Sequence, residues 1–144
     1  MILVLVALFL VSCSSPETLR VRQFHLREID LPSGHPFIVA EMNHHLHGAV
    51  TERERKLRLG NYYHVRWGGL SGQEPVKIVF ECRQAKTGAS VHRYEFPMAA
   101  KRKGEREIVI GGYDYLKNGH VQAWRITLYE GKRAIAVKKS YLWD

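Results

Sequence analysis

Three histidines within four positions form the most chemically suggestive cluster in the sequence. His44, His45 and His47 end an apolar segment, and if that segment is a strand, His45 and His47 share one face. Imidazole is a common ligand of Zn²⁺ and Cu²⁺, so the spacing allows a metal- or small-ligand-binding site. The candidates for a third ligand, by residue type, are His25, His64 and Glu41. The alternative is that these histidines are solvated or hydrogen-bonded at a strand end.

The second reactive candidate is Cys13, which follows an apolar run at the start of the chain. Residues 2–11 are apolar without interruption; this is too short to span a bilayer, which needs ~20 residues, but is typical of an export signal. The tetrapeptide Leu10-Val11-Ser12-Cys13 resembles the bacterial lipobox, in which the cysteine thiol receives a diacylglycerol and becomes the new amino terminus. The resemblance implies a signal peptide over residues 1–12 and lipidation of Cys13.

Two alternatives compete with acylation of Cys13. The apolar run could be a buried N-terminal strand, or Cys13 could form a disulfide with Cys82, since the chain has two cysteines and exported proteins often pair theirs. Cys82 shares the apolar face of an alternating segment with Ile78 and Phe80. That position predicts a small, buried and inert thiol.

Other signatures of catalysis are missing from the sequence. The segment 69–72, Gly-Leu-Ser-Gly, lacks the spacing and the strand-to-helix setting of a nucleophile elbow. No glycine-rich phosphate loop occurs, and the fourteen acidic residues are dispersed. We therefore expect a non-enzymatic protein whose only candidate cofactors are Zn²⁺ or Cu²⁺.

The positive charge of the chain suggests anionic partners. The sequence has 22 Lys and Arg against 14 Asp and Glu, a formal charge of +8, which favours anionic surfaces. The contact candidates in the basic runs are Arg53, Arg55, Lys101, Arg102 and Lys103. The partners expected are the membrane, anionic envelope components or another envelope protein; nucleic acid is not expected, because it conflicts with an export signal. The alternative is that these runs are simply solvated faces.

The aromatic residues divide by the parity of their strands. Trp67 and Trp124 fall in alternating apolar rows, which predicts that both are core residues. Tyr62 and Tyr129 project from the opposite faces. We therefore expect Tyr62 and Tyr129 to be available for contact with a partner.

Extended segments separated by turn residues account for most of the chain. The predicted segments are 22–30, 35–45, 61–67, 75–84, 90–98, 105–112, 119–129 and 133–143. The turn at Glu130 and Gly131 predicts a hairpin between the last two segments. One short helix is expected over about 51–59, because Thr51 and Glu54 match a capping box and Gly60 could end the helix in a left-handed conformation.

These elements predict an all-β protein, an antiparallel sandwich of about seven to eight strands with one short helix. The signal segment (1–12) precedes a polar tether (13–20) and the domain (21–144). Residues 61–143 resemble immunoglobulin-like and fibronectin type III domains, in the alternating segment 61–67, its partner 75–84 and the final hairpin. That resemblance makes Tyr113 or Tyr115 a possible corner tyrosine.

Taken over its whole length, the chain is similar to small uncharacterised lipoproteins of environmental bacteria, in which a lipobox precedes one β-rich domain. That resemblance implies a lipid-anchored protein of the cell envelope, at the outer membrane or on the periplasmic face of the inner membrane. It implies no particular activity.

Overall fold

The computed structural model describes residues 17–27 and 36–144 of the chain. The strands, numbered in chain order, are β1 (Leu19–Leu26), β2 (Gly60–Trp67), β3 (Val76–Gln84), β4 (His92–Met98), β5 (Gly104–Gly111), β6 (Val121–Glu130) and β7 (Arg133–Lys139). The helices are α1 (Pro36–Leu46), α2 (Glu52–Arg58) and α3 (Gly112–Asn118), and a 3-10 turn covers Tyr141–Trp143. Cys13 and the expected signal segment lie outside the described residues, so acylation stays a prediction.

The strands form two antiparallel sheets that enclose the core. One sheet has the order β1-β2-β5 and the other has the order β4-β3-β6-β7. In the first sheet Tyr63 pairs with Ile108, and in the second Phe80 pairs with Ile126. Buried side chains of both sheets belong to one hydrophobic cluster. The predicted antiparallel all-β sandwich is therefore confirmed, with seven strands in the described part of the chain.

The core is built from alternate residues of the central strands, since successive side chains of a strand point to opposite faces. The inward rows are Tyr63, Val65 and Trp67 of β2, Ile78, Phe80 and Cys82 of β3, and Trp124, Ile126 and Leu128 of β6. Burying one large apolar side chain stabilises a fold by about 1.5–3 kcal/mol. The predicted core positions of Trp67 and Trp124 are confirmed, and Cys82 is buried with a free thiol.

Trp124 connects the two sheets. Its ring packs edge-on against Tyr63 of β2, with 5.4 Å between the ring centroids. Its indole N–H donates a hydrogen bond to Gln23 Oε1 of β1 at 2.8 Å. A buried indole N–H usually finds such an acceptor, because an unsatisfied buried donor costs about 1–3 kcal/mol. Trp124 therefore contributes both apolar burial and a polar contact between sheets.

The predicted hairpin and the predicted helix start are both confirmed. Gly131 joins β6 to β7 with φ of 59°, a left-handed conformation that glycine adopts without strain. At the start of α2, the Thr51 hydroxyl accepts a hydrogen bond from the Glu54 backbone N–H at 3.2 Å. Glu54 Oε2 accepts one from the Thr51 N–H at 2.8 Å. This reciprocal pair satisfies two N–H groups at the helix start.

The predicted extent of that helix, about 51–59, agrees with its two cap residues Thr51 and Leu59, but the predicted left-handed ending at Gly60 is wrong. Helix α2 ends at Arg58, its C-cap residue Leu59 is extended, and Gly60 is the first residue of β2. Glycine is required at position 60 because a Cβ there would overlap the Ile110 carbonyl and lie 2.7 Å from the Cα of Gly111. Gly60 thus permits close approach of β2 and β5.

Helix α1 stands where the sequence predicts an extended segment over residues 35–45, and that prediction is wrong. Pro36 occupies the first helical position, where its missing N–H leaves no bond unmade, and Ala40 and Met42 are good helix formers. Ile38 is β-branched and favours a strand. A short apolar run does not distinguish a helix from a strand by periodicity, so tertiary packing decides.

Helix α3 is a further departure from the prediction of one helix. Tyr113 and Tyr115, the possible corner tyrosines, both lie on α3. The Tyr115 hydroxyl is 2.7 Å from His25 Nε2, and the Tyr113 hydroxyl accepts a hydrogen bond from Arg53 at 3.3 Å. Both partners are side chains of other elements, whereas a corner tyrosine bonds to nearby backbone. Among the helices in residues 17–27 and 36–144, none is long and apolar enough to cross a bilayer.

Candidate functional site

Helix α1 and the outer face of the β1-β2-β5 sheet enclose a cleft of about 1040 Å³, which we call the α1 cleft. The lining residues are Phe37, Ala40, Glu41, His44 and His45 of α1, Arg22, Gln23 and Phe24 of β1, Tyr62 and His64 of β2, and Glu105, Arg106 and Glu107 of β5. Aromatic rings and charges of both signs therefore face one space. Such a lining suits a small ligand that has polar and apolar parts.

His45 packs α1 against the sheet. Its ring centroid lies 3.8 Å from that of Tyr62, and its ring stacks on Phe24 at 5.5 Å. Its Nε2 is 3.5 Å from Glu41 Oε2, one turn earlier in the helix. Burial lowers the pKa of His45, and the carboxylates of Glu107 and Glu41 oppose this effect. His45 is therefore a neutral packing group at neutral pH.

The predicted histidine cluster is divided by the helical geometry. His44 and His45 line the α1 cleft, whereas His47 follows the end of α1 and is exposed. The expectation that His45 and His47 share one strand face is wrong, because the segment up to Leu46 is helical. Positions two apart on a helix do not face the same way.

The candidate third ligands also have other partners. Glu41 contacts His45, and His64 lies 3.4 Å from Glu105 Oε2. His25 is bonded to the Tyr115 hydroxyl. Within the part of the chain that the structure describes, no group of three or more His, Cys, Asp or Glu residues is placed to hold a metal ion.

Charged residues form the wall of the α1 cleft on β2 and β5. Glu105 Oε2 is 3.4 Å from both His64 Nε2 and Arg66 Nε. The Arg106 guanidinium lies 4.5 Å from the ring centroid of Phe96, an attractive cation–π arrangement. Arg106 Nε is buried and has no hydrogen-bond partner among the described residues. Arg106 pairs with the core residue Val65, so its guanidinium points to the opposite side of β5 from Glu105 and Glu107.

The two tyrosine contact candidates have different surroundings. Tyr62 projects outward from β2, but α1 covers it: it is 9% exposed, and its hydroxyl donates to the Arg58 carbonyl oxygen at 2.5 Å. The expectation that Tyr62 is an open contact residue is therefore wrong, although it lines the α1 cleft. Tyr129 is half-buried, with the Lys77 ammonium 5.2 Å from its ring centroid.

Arg53 and Arg55 lie on α2, at the end of the sandwich that we call the distal pole. Leu26, the last residue of β1, pairs there with Gly60, the first residue of β2. Both arginines are exposed. The positive charge of α2 is partly balanced along the helix, since Lys56 forms an ion pair with Glu52 at 2.9 Å and Glu54 caps the helix.

The opposite end, where β1 begins, is the tether-side pole. We define it as Leu19 with the connections 68–75, 99–103 and 131–132. Leu19 pairs with Trp67, the last residue of β2, so the chain enters the sandwich beside these connections. The contact candidates Lys101, Arg102 and Lys103 are exposed in the 99–103 connection. These three residues thus lie at the end of the domain where the chain enters from the Cys13 segment.

Hydrogen bonds join the three connections of the tether-side pole into one surface. Glu130 Oε1 accepts hydrogen bonds from the Ser71 backbone N–H at 2.8 Å, the Ser71 hydroxyl at 2.5 Å and the Gly72 N–H at 3.1 Å. These donors hold the pKa of Glu130 below its usual range. The Leu70 N–H also donates to the Arg102 carbonyl at 3.1 Å.

On the outer face of the other sheet, ion pairs occupy the basic side chains. Glu81 is buried, and its carboxylate contacts Arg93 at 3.1 Å and Arg125 at 2.6 Å. The ring centroid of Trp143 lies 5.0 Å from the Arg125 guanidinium and 5.2 Å from the Arg83 guanidinium. The arginines of this face are therefore engaged within the protein.

No protein-family model, curated protein or solved structure matches this chain. Its function must therefore be inferred from the α1 cleft, the two poles and the Cys13 segment.

Several cleft residues were not indicated by the sequence. Arg22, Glu105 and Glu107 belong to segments that were predicted as strands, but an outward side chain becomes a cleft wall only when something packs above it. The sequence therefore indicates this cleft only if α1 is recognised as a helix. The signal for this helix in the sequence was Pro36, followed by a segment that contains Ala, Glu, Met and Leu.

Proposed function

We propose that this protein is a lipid-anchored lipoprotein of the bacterial envelope and acts as a non-enzymatic interaction module. The observation that carries the proposal is the position of β1. The sandwich begins at Leu19, two residues before the expected start of the domain at residue 21, so five residues, 14–18, separate it from Cys13. Acyl chains contribute ~0.8 kcal/mol per buried methylene, so two or three chains on Cys13 would hold the domain at a bilayer.

We also propose that the sandwich is immunoglobulin-like, a finer description than two antiparallel sheets. In immunoglobulin topology, strands A, B and E share one sheet and strands C, F and G share the other, with C′ added beside C in variable-type domains. The orders β1-β2-β5 and β4-β3-β6-β7 agree with A-B-E and C′-C-F-G. Domains of this kind bind partners through loops and sheet faces, which supports an interaction role.

The acylation is tested by mass spectrometry of the N-terminal peptide from membranes of a lipoprotein-producing bacterium. We expect a peptide that begins at Cys13 and carries the mass of a diacylglycerol. Cys13→Ser replaces the thiol with a poorer nucleophile and should leave the uncleaved precursor. Cys82→Ala is the matched control, since its thiol lies in the core, and should be acylated normally. An unmodified Cys13, or one in a disulfide with Cys82, would contradict the proposal.

A second candidate function is the binding, in the α1 cleft, of a small ligand that has polar and apolar parts. The observation that favours it is the convergence of His44, Glu41 and Arg22 with aromatic rings around one space of about 1040 Å³. Clefts of ~300–1,000 Å³ with a mostly apolar lining and a few placed polar groups are usual for small-molecule sites. The described residues place no group of three ligands for the Zn²⁺ or Cu²⁺ expected from the sequence, so the proposal is confined to a small molecule.

Native mass spectrometry of protein isolated gently from its producing cells tests this second candidate. We expect a bound molecule of discrete mass that is lost when His44→Ala and Arg22→Gln are combined. His47→Ala is the control, because His47 is not among the residues that line the cleft. Retention of the molecule by the double variant, or its loss from the control, would exclude binding in the cleft.

A further inference from the structure

We propose that the tether-side pole is a second, electrostatic attachment to the membrane, and that it binds the anionic headgroups of phospholipids. The inference rests on the proposed function, because acylated Cys13 would bring this pole to the bilayer surface. It adds a partner for the contact candidates Lys101, Arg102 and Lys103, and it gives the domain a defined orientation.

The charge at the tether-side pole is concentrated and unpaired. Lys101, Arg102 and Lys103 are consecutive, and Lys132 lies in the neighbouring 131–132 connection. All four side chains are exposed. None of them forms an ion pair with a residue in 17–27 or 36–144. Their charge is therefore available to an external anion.

Most of the acidic side chains near these four cations are engaged in other contacts within the protein. Glu130 points into the pole and accepts hydrogen bonds from Ser71 and Gly72. Glu17 is paired with Arg20 and with Lys138. Glu74 is exposed and is the acidic side chain left near Gly131. Glu105, two residues after Lys103, is exposed but contacts His64 and Arg66. Four cations thus face outward, and Glu74 is the exposed carboxylate near them that forms no ion pair with the described residues.

The pole is also held in a fixed shape, which makes it a surface and not a set of mobile loops. The Gly131 N–H donates to the Pro75 carbonyl at 2.8 Å, and the Gly68 N–H donates to the Thr18 carbonyl at 3.0 Å. Together with the bonds to Glu130, these contacts tie all three connections to the start of β1. The cations therefore keep their position relative to the point where the chain enters the domain.

The segment between Cys13 and the sandwich is short enough to keep the pole close to a bilayer. Residues 14–18 separate Cys13 from Leu19, and an extended segment of this kind spans at most roughly 20 Å. The Debye length at physiological ionic strength is about 8 Å. A slack tether would therefore let the cations reach within screening distance of the headgroups.

The effect of such charges is large enough to measure. Each Lys or Arg near an anionic surface strengthens binding about fivefold. Three of them would contribute on the order of a hundredfold if their effects add. Charge at the distal pole, on Arg53 and Arg55, lies at the far end of the sandwich and should contribute little.

The experiment compares binding of the full-length protein to two kinds of vesicle, phosphatidylcholine alone and phosphatidylcholine containing phosphatidylglycerol. Hydrophobic insertion of the N-terminal segment is common to both, so the ratio between them reports the electrostatic contact. We expect a preference for anionic vesicles that is on the order of a hundredfold at low salt and declines at high salt. Lys101→Gln, Arg102→Gln and Lys103→Gln together should remove most of it.

The matched control is the double variant Arg53→Gln and Arg55→Gln, which should retain the preference. An equal loss in both variants would mean that net charge, not the pole, is responsible, and an unchanged triple variant would overturn the proposal. The test is separable from acylation: full-length Cys13→Ser should keep the anionic preference. If the acylated protein lacks that preference, the proposed binding of headgroups by the tether-side pole is wrong, whereas the proposed lipid anchor is unaffected.

Discussion

The ring of His45 on α1 lies against the ring of Tyr62 on β2, with 3.8 Å between centroids and 32° between planes. This pair is where the first helix meets the sheet. Burial lowers the pKa of His45 from its ordinary value of 6.5, so the folded protein holds the neutral ring. The unfolded chain binds a proton more readily, and stability is therefore linked to pH.

We expect the free energy of unfolding to fall as the pH is lowered through 6.5, the ordinary histidine pKa. Below that value the unfolded state gains a proton that the folded state does not hold, so acid favours unfolding. In His45→Gln this dependence should be weaker, as measured by urea denaturation across the pH range. His47→Gln, at an exposed position, should behave like the parent, and identical pH profiles for the parent and His45→Gln would contradict the assignment.

The core tryptophans should be energetically distinct from the surface tryptophan. Trp124→Ala or Trp67→Ala should lower the free energy of unfolding by about 3–5 kcal/mol, a large part of a typical margin of ~5–15 kcal/mol. Trp143 lies on the outside over Arg83 and Arg125, and Trp143→Ala should cost no more than about 1 kcal/mol. Equal costs for Trp143 and Trp124 in denaturant titrations would argue against the proposed core.

The Cys82 thiol should be unreactive in the folded protein. Burial raises its pKa to about 12, and the reactive species is the thiolate. In full-length Cys13→Ser, where Cys82 supplies the remaining thiol, labelling with a thiol reagent should be slow until denaturant is added. Cys82→Ala should cost about 1 kcal/mol, as a small truncation in a core does. Rapid labelling without denaturant would show that the inward face of β3 is accessible to solvent.

The capping box should control the stability of α2 locally. Thr51→Ala removes the acceptor for the Glu54 N–H, a loss that typically costs about 1 kcal/mol. We expect the amide protons of α2 to exchange several-fold faster, with little change in the β-strands, as seen by hydrogen exchange. Thr51→Ser retains a hydroxyl and should exchange like the parent; if it resembles Thr51→Ala, the cap is not the cause.

Most of the strands could be predicted from the sequence, because their alternation reflects one buried and one exposed face. The segment 61–67 is an example: Tyr63, Val65 and Trp67 are core residues in the structure. The capping box could also be predicted, since it needs only residues three positions apart. Both are local or period-two signals.

The α1 cleft could not be predicted, because it depends on packing between distant segments. The alternation gave the correct outward direction for Tyr62 but carried no information on what covers that face. The segment 35–45 contains both β-branched residues and good helix formers, so its local preferences conflict. His44 was identified by residue type, whereas Arg22 and Glu107 become cleft residues only because α1 folds over their face of the sheet.

The strand order has a consequence for the time at which the domain can form. Tyr63 pairs with Ile108 and Phe80 pairs with Ile126, so both central contacts join segments about 45 residues apart and their loops must close first. Sandwiches dominated by such pairing fold in milliseconds to seconds, far more slowly than helical bundles. No early hairpin can complete this core by itself, since β2 and β3 each await a partner from the second half of the chain. This delay would help a polypeptide that must cross a membrane before it folds. Such a chain stays unfolded until its last strands have crossed.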